Sequence, residues 1–411
     1  MRTMLILQKR LQIIAVIKLV KILPVILVSF LITNSVKGQD SCAIQVSLLT
    51  CSPGNELYSI FGHSALRIHD QSTGTDIVYN YGTFDFNDPD FYTKFVKGKL
   101  LYFLSQNNYA DFIYSYSLEG RSIAEQYLQL TCAQKIQLQQ FVWKNMQEEN
   151  RYYKYDFLYD NCTTRLRDII EQFQDAEMKT GIIPQASDKT FRNALYDYLD
   201  KGQMHWSKLG IDLVLGSTID KKMSNREAMF LPEYLETGID STRNQQQYLV
   251  AIKQFPVPIN QSETNQYSLL VTPIFIFSIV FLLIISLSFS KNLIIARALN
   301  LFDHIYFTLL GLLGCLFIFM WFGTDHKQTT YNYNLLWAWP THIFWFFSKR
   351  YPYFRNFYVT LYFIVGSLVL ILWFFLPQQL NVSLIPIVGI AAFRSWKGRL
   401  DKEKLLQPIM K

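Results

Sequence analysis

A chain of 411 residues, 50% of them hydrophobic, has room for one soluble domain of ordinary size and a substantial membrane part. Its net charge of +7 is unevenly spread: residues 1–38 hold six basic and no acidic side chains, 39–265 hold 21 basic against 28 acidic, and 266–411 hold 12 against 4. An acidic middle region argues against nucleic acid as a partner.

At the N-terminus, Lys9, Arg10, Lys18 and Lys21 precede an apolar stretch from Ile22 to Ile32, the pattern of a secretory signal. Val36 and Gly38 are modest side chains at the minus-three and minus-one positions, so cleavage is expected between Gly38 and Gln39. This gives a signal peptide over 1–38. The alternative is a retained anchor, although the apolar run is at the short end for a span.

Residues 39–265 read as an exported domain. Apolar residues are frequent from Ala43 to Thr50, Pro53-Gly54 breaks the run, and an amphipathic stretch through Tyr58 and Phe61 follows: strand, turn, short helix. Further strands are expected at Ser64–His69, Asp76–Tyr81, Leu100–Leu104 and Arg121–Gln129. Helices are expected at Ala133–Glu149, Thr163–Phe173, Lys189–Leu199 and Asn225–Leu235. The class is α+β, several antiparallel strands with helices packed to one side.

Residues 266–395 read as a transmembrane region of about five helices, with spans near Ser268–Ser290, Leu301–Gly323, Asn334–Phe347, Phe357–Leu376 and Leu384–Phe393, of which the third and fifth are short and read as tilted, as extended into flanking aromatic residues or as re-entrant. Lys291 and Arg297 follow the first, Lys349, Arg350 and Arg355 the third, and a basic tail over 396–411 the fifth; the alternate loops carry little charge. Cytoplasmic loops retain Lys and Arg, so this pattern puts 39–265 outside the cytoplasm, in agreement with the signal. The loop between the second and third spans carries Asp325, His326, Tyr331, Asn332, Tyr333, Trp337 and Trp339. It reads either as an aromatic belt in the headgroup layer or as a lipid-handling surface under the exported domain.

Chemistry is carried by few residues. In Asp160-Asn161-Cys162-Thr163-Thr164, Asp160 or Asn161 caps a helix and Cys162 falls in its first turn, where unpaired amides and the helix dipole favour thiolate and the same amides could hold an oxyanion. A nucleophilic thiolate needs a base, and His63 in Phe61-Gly62-His63-Ser64 is the best candidate, with His69 weaker and Asn80 a candidate to orient the imidazole. Cys51, ahead of a Ser-Pro-Gly turn, is the rival nucleophile. Disulfides compete for Cys42, Cys51, Cys132 and Cys162 in an oxidising compartment. No close pair of His or Cys has metal-ligand spacing, and no cofactor is implied.

Four segments, Leu48-Leu49-Thr50-Cys51-Ser52-Pro53-Gly54, Phe61-Gly62-His63-Ser64, Tyr79-Asn80-Tyr81-Gly82 and Asp160-Asn161-Cys162-Thr163-Thr164, together resemble the Lnb-type periplasmic domain, and the multi-span part resembles the membrane region found with it in Bacteroidetes proteins. The resemblance implies a permuted papain-like (NlpC/P60-like) periplasmic domain, followed by an α-helical transmembrane bundle in the inner membrane. It makes Cys162 the nucleophile and His63 the base, and leaves Asn80 a candidate for the third position, which varies among such enzymes. It further implies a lipoprotein N-acyltransferase that acts on diacylglyceryl lipoproteins, drawing its acyl chain from an ester of the lipoprotein itself or of a membrane phospholipid. Both donors stay open. A membrane-anchored cysteine peptidase or amidase of the cell envelope would use the same Cys and His with water as acceptor. A non-enzymatic sensor is a further reading, and the absence of intramembrane charge runs disfavours transport.

Overall fold

The computed structural model describes residues 42–244, 247–258, 268–345 and 352–406. The expected signal peptide lies outside them, as do residues 346–347 of the third expected span and the last five residues of the basic tail.

The exported part is built on one antiparallel sheet of seven strands, in the order β6-β4-β3-β2-β1-β5-β7. The strands are β1 (Ile44–Cys51), β2 (His63–Asp70), β3 (Thr75–Thr83), β4 (Leu101–Asn108), β5 (Ile123–Leu128), β6 (Tyr152–Lys154) and β7 (Val250–Val257). Central β1 and β2 are paired along their whole length, from Ile44 opposite Asp70 to Cys51 opposite His63. Both are buried on both faces over most of their length, with apolar residues concentrated at Val46–Leu49 and Ala65–Ile68.

The helices interleaved with these strands are α1 (Phe91–Val96), α2 (Tyr109–Leu118), α3 (Cys132–Asn145), α4 (Cys162–Phe173), α5 (Phe191–Lys201), α6 (His205–Val214), α7 (Asn225–Ala228) and α8 (Pro232–Ser241). Reciprocal side-chain caps start α3 (Thr131 with Gln134), α4 (Asn161 with Thr164), α5 (Thr190 with Asn193) and α7 (Ser224 with Glu227). The expected single helix over Asn225–Leu235 is two, because Pro232 cannot donate within a helix and instead opens α8. No helix follows Pro53-Gly54; residues 55–61 form a chain of turns.

Helices cover both faces of the sheet, not one as expected. Strand residues alternate faces, and Leu49, Cys51, Ala65 and Val78 pack with Phe112 of α2. The opposite face carries Ser64, whose hydroxyl is 3.1 Å from the Thr163 hydroxyl of α4.

The C-terminal part comprises α9 (Pro273–Leu287), α10 (Leu293–Phe322), α11 (Pro352–Ile371) and α12 (Ile385–Leu406). Of the described helices, α10 and α11 are long and apolar enough to cross a membrane. The third expected span is not an α-helix where it is described: Tyr333–Leu336 and Pro340–Trp345 form 3₁₀ turns. Gly311 and Gly314 of α10 admit this segment closely, since a Cβ at either would meet its backbone at 2.5 Å or less. The last helix runs from Ile385 through Leu406, well past the expected end of the fifth span at Phe393.

The loop after α10 neither stands free nor forms a simple belt. Asp325 takes the Lys154 ammonium at 3.0 Å, and its N–H donates to the Lys97 carbonyl. A His326 ring nitrogen lies 2.9 Å from the Phe95 carbonyl, and the Gln328 amide donates to both carboxylate oxygens of Asp156. Asn332 and Asn334 donate to carbonyls of α6. The polar residues of this loop are spent gripping the exported domain.

Candidate active site

Cys162, His63 and Asn80 are brought together at one end of the central strands. His63 opens β2, and the residue before it must be glycine: Gly62 has φ +79°, and a Cβ there would lie 2.7 Å from the Cys51 carbonyl oxygen. Asn80 lies near the end of β3, just before the β3–β4 register breaks between Asn80 and Thr83. Gly82, inside that irregularity, has φ +87°, and a Cβ on it would touch both the Cys162 Cβ and the Tyr155 ring at 3.4 Å. The bulge and the missing side chain together let the start of α4 carry Cys162 against the end of the sheet.

Cys162 is the first residue of α4. Its thiol lies 3.7 Å from the Thr163 hydroxyl and within electrostatic reach of His63 and of the backbone N–H of Ser64, all of which favour its charged form. His63 Nε2 lies 3.1 Å from Asn80 Oδ1, which leaves Nδ1 as the ring nitrogen for the sulfur. The Asn80 amide nitrogen donates to Asn107 Oδ1 at 3.0 Å, fixing the amide so that its oxygen faces the imidazole. His63 is thereby held in one tautomer and one orientation.

Burial opposes a charge on Cys162, but the His63 charge and hydrogen bond, followed by the Ser64 N–H and the Thr163 hydroxyl, outweigh it and bring the thiol from 9.0 down to about 7. Burial likewise disfavours the imidazolium, yet Cys162 and the hydrogen bonds to Cys162 and Asn80 hold His63 above its ordinary value, against an opposing push from Arg121. The two shifts have one origin, a mutually stabilised thiolate and imidazolium.

The rivals fall away on the same grounds. Cys51 is fully buried, and burial pushes its thiol up to about 12, so it is no nucleophile. It is also a free thiol, whereas Cys42 and Cys132 are disulfide-bonded. His69 sits opposite Asp76 near the far end of β2, six residues from His63 and so roughly 20 Å along the strand.

Two family models match the chain, the Lnb N-terminal periplasmic domain over residues 37–193 and the Lnb transmembrane domain over 263–404. The chain belongs to the Lnb family. It is therefore a membrane protein with a periplasmic N-terminal part, in a family of lipoprotein-modifying membrane enzymes. No curated protein and no solved structure matches it. The four segments that carry the resemblance converge in the periplasmic sheet: Cys51 pairs with His63 across β1 and β2, and the Asn80 and Cys162 segments meet at Gly82.

Sequence reasoning missed several neighbours of this Lnb site. Asn107 steadies Asn80, and Arg121, from the turn before β5, bears on both His63 and Cys51. Tyr155 follows β6 and touches the Gly82–Cys162 contact, with its ring stacked on Tyr102 at 4.3 Å. Nothing in the spacing marks these residues, because the sheet order alone brings β4 and β6 to the site. One expectation is corrected. The amides of Thr163 and Thr164 are both taken by Asn161 Oδ1 at 2.8 Å, so the cap consumes the donors expected to hold an oxyanion. The Cys162 nitrogen, close to Gly82, is not engaged by the side-chain cap. Among the described residues, no group of three His, Cys, Asp or Glu is arranged to hold a metal ion.

Proposed function

We propose that this protein is a lipoprotein N-acyltransferase of the inner membrane, multi-pass, with a permuted papain-like catalytic domain in the periplasm. Cys162 is its nucleophile, His63 its base and acid, and Asn80 the residue that orients His63. The observation that carries this reading is the Cys162 thiol, first in a helix, set beside an Asn-held imidazole whose influence lowers it to about 7. That pair is suited to acyl transfer near neutral pH.

In the first half-reaction the Cys162 sulfur attacks the carbonyl carbon of an acyl ester. A C–S bond forms, the ester C–O bond breaks, and the departing alkoxide takes the proton held by His63. In the second, the α-amine of a diacylglyceryl lipoprotein attacks the thioester. A C–N bond forms, the C–S bond breaks, His63 accepts the amine proton, and the Cys162 thiolate is restored. Donor ester and acceptor amine both belong to lipids of one leaflet. A catalytic domain hydrogen-bonded to the membrane part meets them without either having to dissolve in water.

The test is mass spectrometry of the N-terminal lipopeptide of an abundant lipoprotein, in cells whose only N-acylating candidate is this protein, comparing wild type with Cys162→Ala. An N-linked acyl chain found only with wild type supports the reading. The total number of chains then names the donor: two for the lipoprotein's own glyceryl ester, three for a phospholipid. Identical lipopeptides overturn the reading and leave the hydrolytic use of the same pair, which release of new amino termini from membrane protein would reveal.

A further inference from the structure

The segment between β3 and β4 exposes large aromatic side chains: Phe86, Tyr92 and Phe95 are half exposed or more, and Tyr92 is 78% exposed. They belong to a continuous aromatic assembly. Phe91, buried, contacts the rings of Phe86, Tyr92 and Phe95 at 5.0, 5.3 and 6.1 Å, and Phe84 stands 5.8 Å from Phe91 and 5.4 Å from Tyr102. Tyr102 stacks on Tyr155, which touches the Gly82–Cys162 contact. Ring-to-ring contacts thus run from Tyr155, which with Cys162 flanks Gly82, to the exposed face of α1.

The same segment is tied to the end of a membrane span. The 30-residue apolar helix α10 ends at Phe322, and three residues later Asp325 donates its N–H to the Lys97 carbonyl. His326 reaches the Phe95 carbonyl, and Gly98 lies so close that a Cβ there would meet Asp325 and His326 at 3.2 Å. A patch fixed within one turn of chain from the end of such a helix sits at the lipid boundary. Residues 84–102 carry three acidic and three basic side chains, so the attraction the patch can offer a bilayer is apolar rather than electrostatic.

We infer that α1 and its flanking aromatic residues form a lipid-inserted lip, dipping into the leaflet that faces the exported domain, and that an acyl chain passes along the aromatic assembly from this lip to Cys162. The occupant is the hydrocarbon of a membrane lipid. The path to Cys162 rests on the acyl-transfer reading above; insertion of the lip does not.

The test uses the full chain in proteoliposomes of a zwitterionic phospholipid. In a Cys162→Ala background, p-benzoylphenylalanine replaces Tyr92 or Phe95, and irradiation is followed by intact mass. The expected result is a phospholipid-sized adduct at both positions, undiminished by high salt. An adduct at neither, or one abolished by salt, overturns the lip. In a Cys162-intact protein, Tyr92→Ser with Phe95→Ser is expected to keep the rate on a water-soluble short-chain thioester while losing roughly tenfold or more on long-chain esters in the vesicle, since the apolar contact drawing those chains in is gone. Equal rates on both substrates overturn the acyl path. If wild type transfers no acyl group but the adduct forms, the acyl-transfer reading and the path fall while the lip stands. If wild type transfers acyl groups and no adduct forms, the lip falls alone.

Discussion

Replacing His63 with alanine removes the main influence that holds the Cys162 thiolate and leaves burial, which disfavours it, opposed by the Ser64 N–H and the Thr163 hydroxyl. With the thiol lowered from 9.0 to about 7, about half of Cys162 is thiolate at pH 7. Back at an ordinary value, about 1% would be, a loss of roughly 50-fold. A more basic thiolate is a better nucleophile, by about sixfold over two pKa units at a Brønsted slope of about 0.4. The net expectation is a roughly eightfold slower reaction at pH 7 and, with both thiols ionised near pH 10, a variant about sixfold faster than wild type. The assay is exchange with a small neutral aromatic disulfide, followed by absorbance across pH 5 to 10, with Cys162→Ala subtracted to remove the other thiols. Parallel profiles that never cross, or a wild-type midpoint near 9, would refute the thiolate–imidazolium assignment.

Four other expectations follow from particular contacts. Cys162→Ser is expected to fold and insert but to form no N-acylated lipopeptide in the mass-spectrometric assay; wild-type product from it would sink the nucleophile. Asn80→Ala frees the His63 ring, so the disulfide-exchange midpoint should rise while thermal stability hardly changes, and an unmoved midpoint would deny Asn80 its orienting role. Gly82→Ala places a side chain at φ +87° and against Cys162; a destabilisation of about 1–2 kcal/mol and a loss of Cys162 reactivity are expected, readable by chemical unfolding and the same exchange assay. Arg192→Met leaves Asp212 and Asp220 buried without their cation, and a loss of about 3–5 kcal/mol is expected in unfolding of the detergent-solubilised protein, against little change for Lys222→Met, whose Asp188 partner is exposed.

Five strands were legible because the central sheet residues are apolar runs between turn residues: β1, β2, β3, β4 and β5 all lie within a few residues of where the pattern puts them. The two missed strands are edges. β6 has three residues, and β7 carries Lys253, Gln254 and Pro256, a composition an edge tolerates and a pattern search discards. Helix α2 was missed because Tyr109–Leu118 alternates aromatic and polar residues without a stop signal until Gly120. The backbone of the third expected span was not legible, because an apolar stretch with Pro340 in it says how greasy a segment is, not that its backbone closes i to i+4 bonds; where it is described, the segment folds as 3₁₀ turns against α10. At the site, Cys162 and His63 were readable from a cap and a chemical need, and Asn80 from its place on the next strand. Arg121, Asn107 and Tyr155 were not, because their nearness follows from long-range strand order.

The junction between the two halves bears on how such a site could work. Arg192, 1% exposed, binds Asp212 and Asp220, and Asp212 in turn accepts from Tyr196 and from Asn381 of the loop before α12. Gln378 donates to the Leu215 carbonyl and Asn334 to that of Asp212. A guanidinium and two carboxyl groups are thus buried where the domain meets the membrane part, and their hydrogen bonds come from both. A hinge would expose these groups in turn and pay their desolvation at each closure. The contacts argue instead for a periplasmic domain mounted in one orientation, so that under the proposed acyl-transfer reading access to Cys162 would depend on what reaches the proposed aromatic lip rather than on the domain swinging down to the lipid.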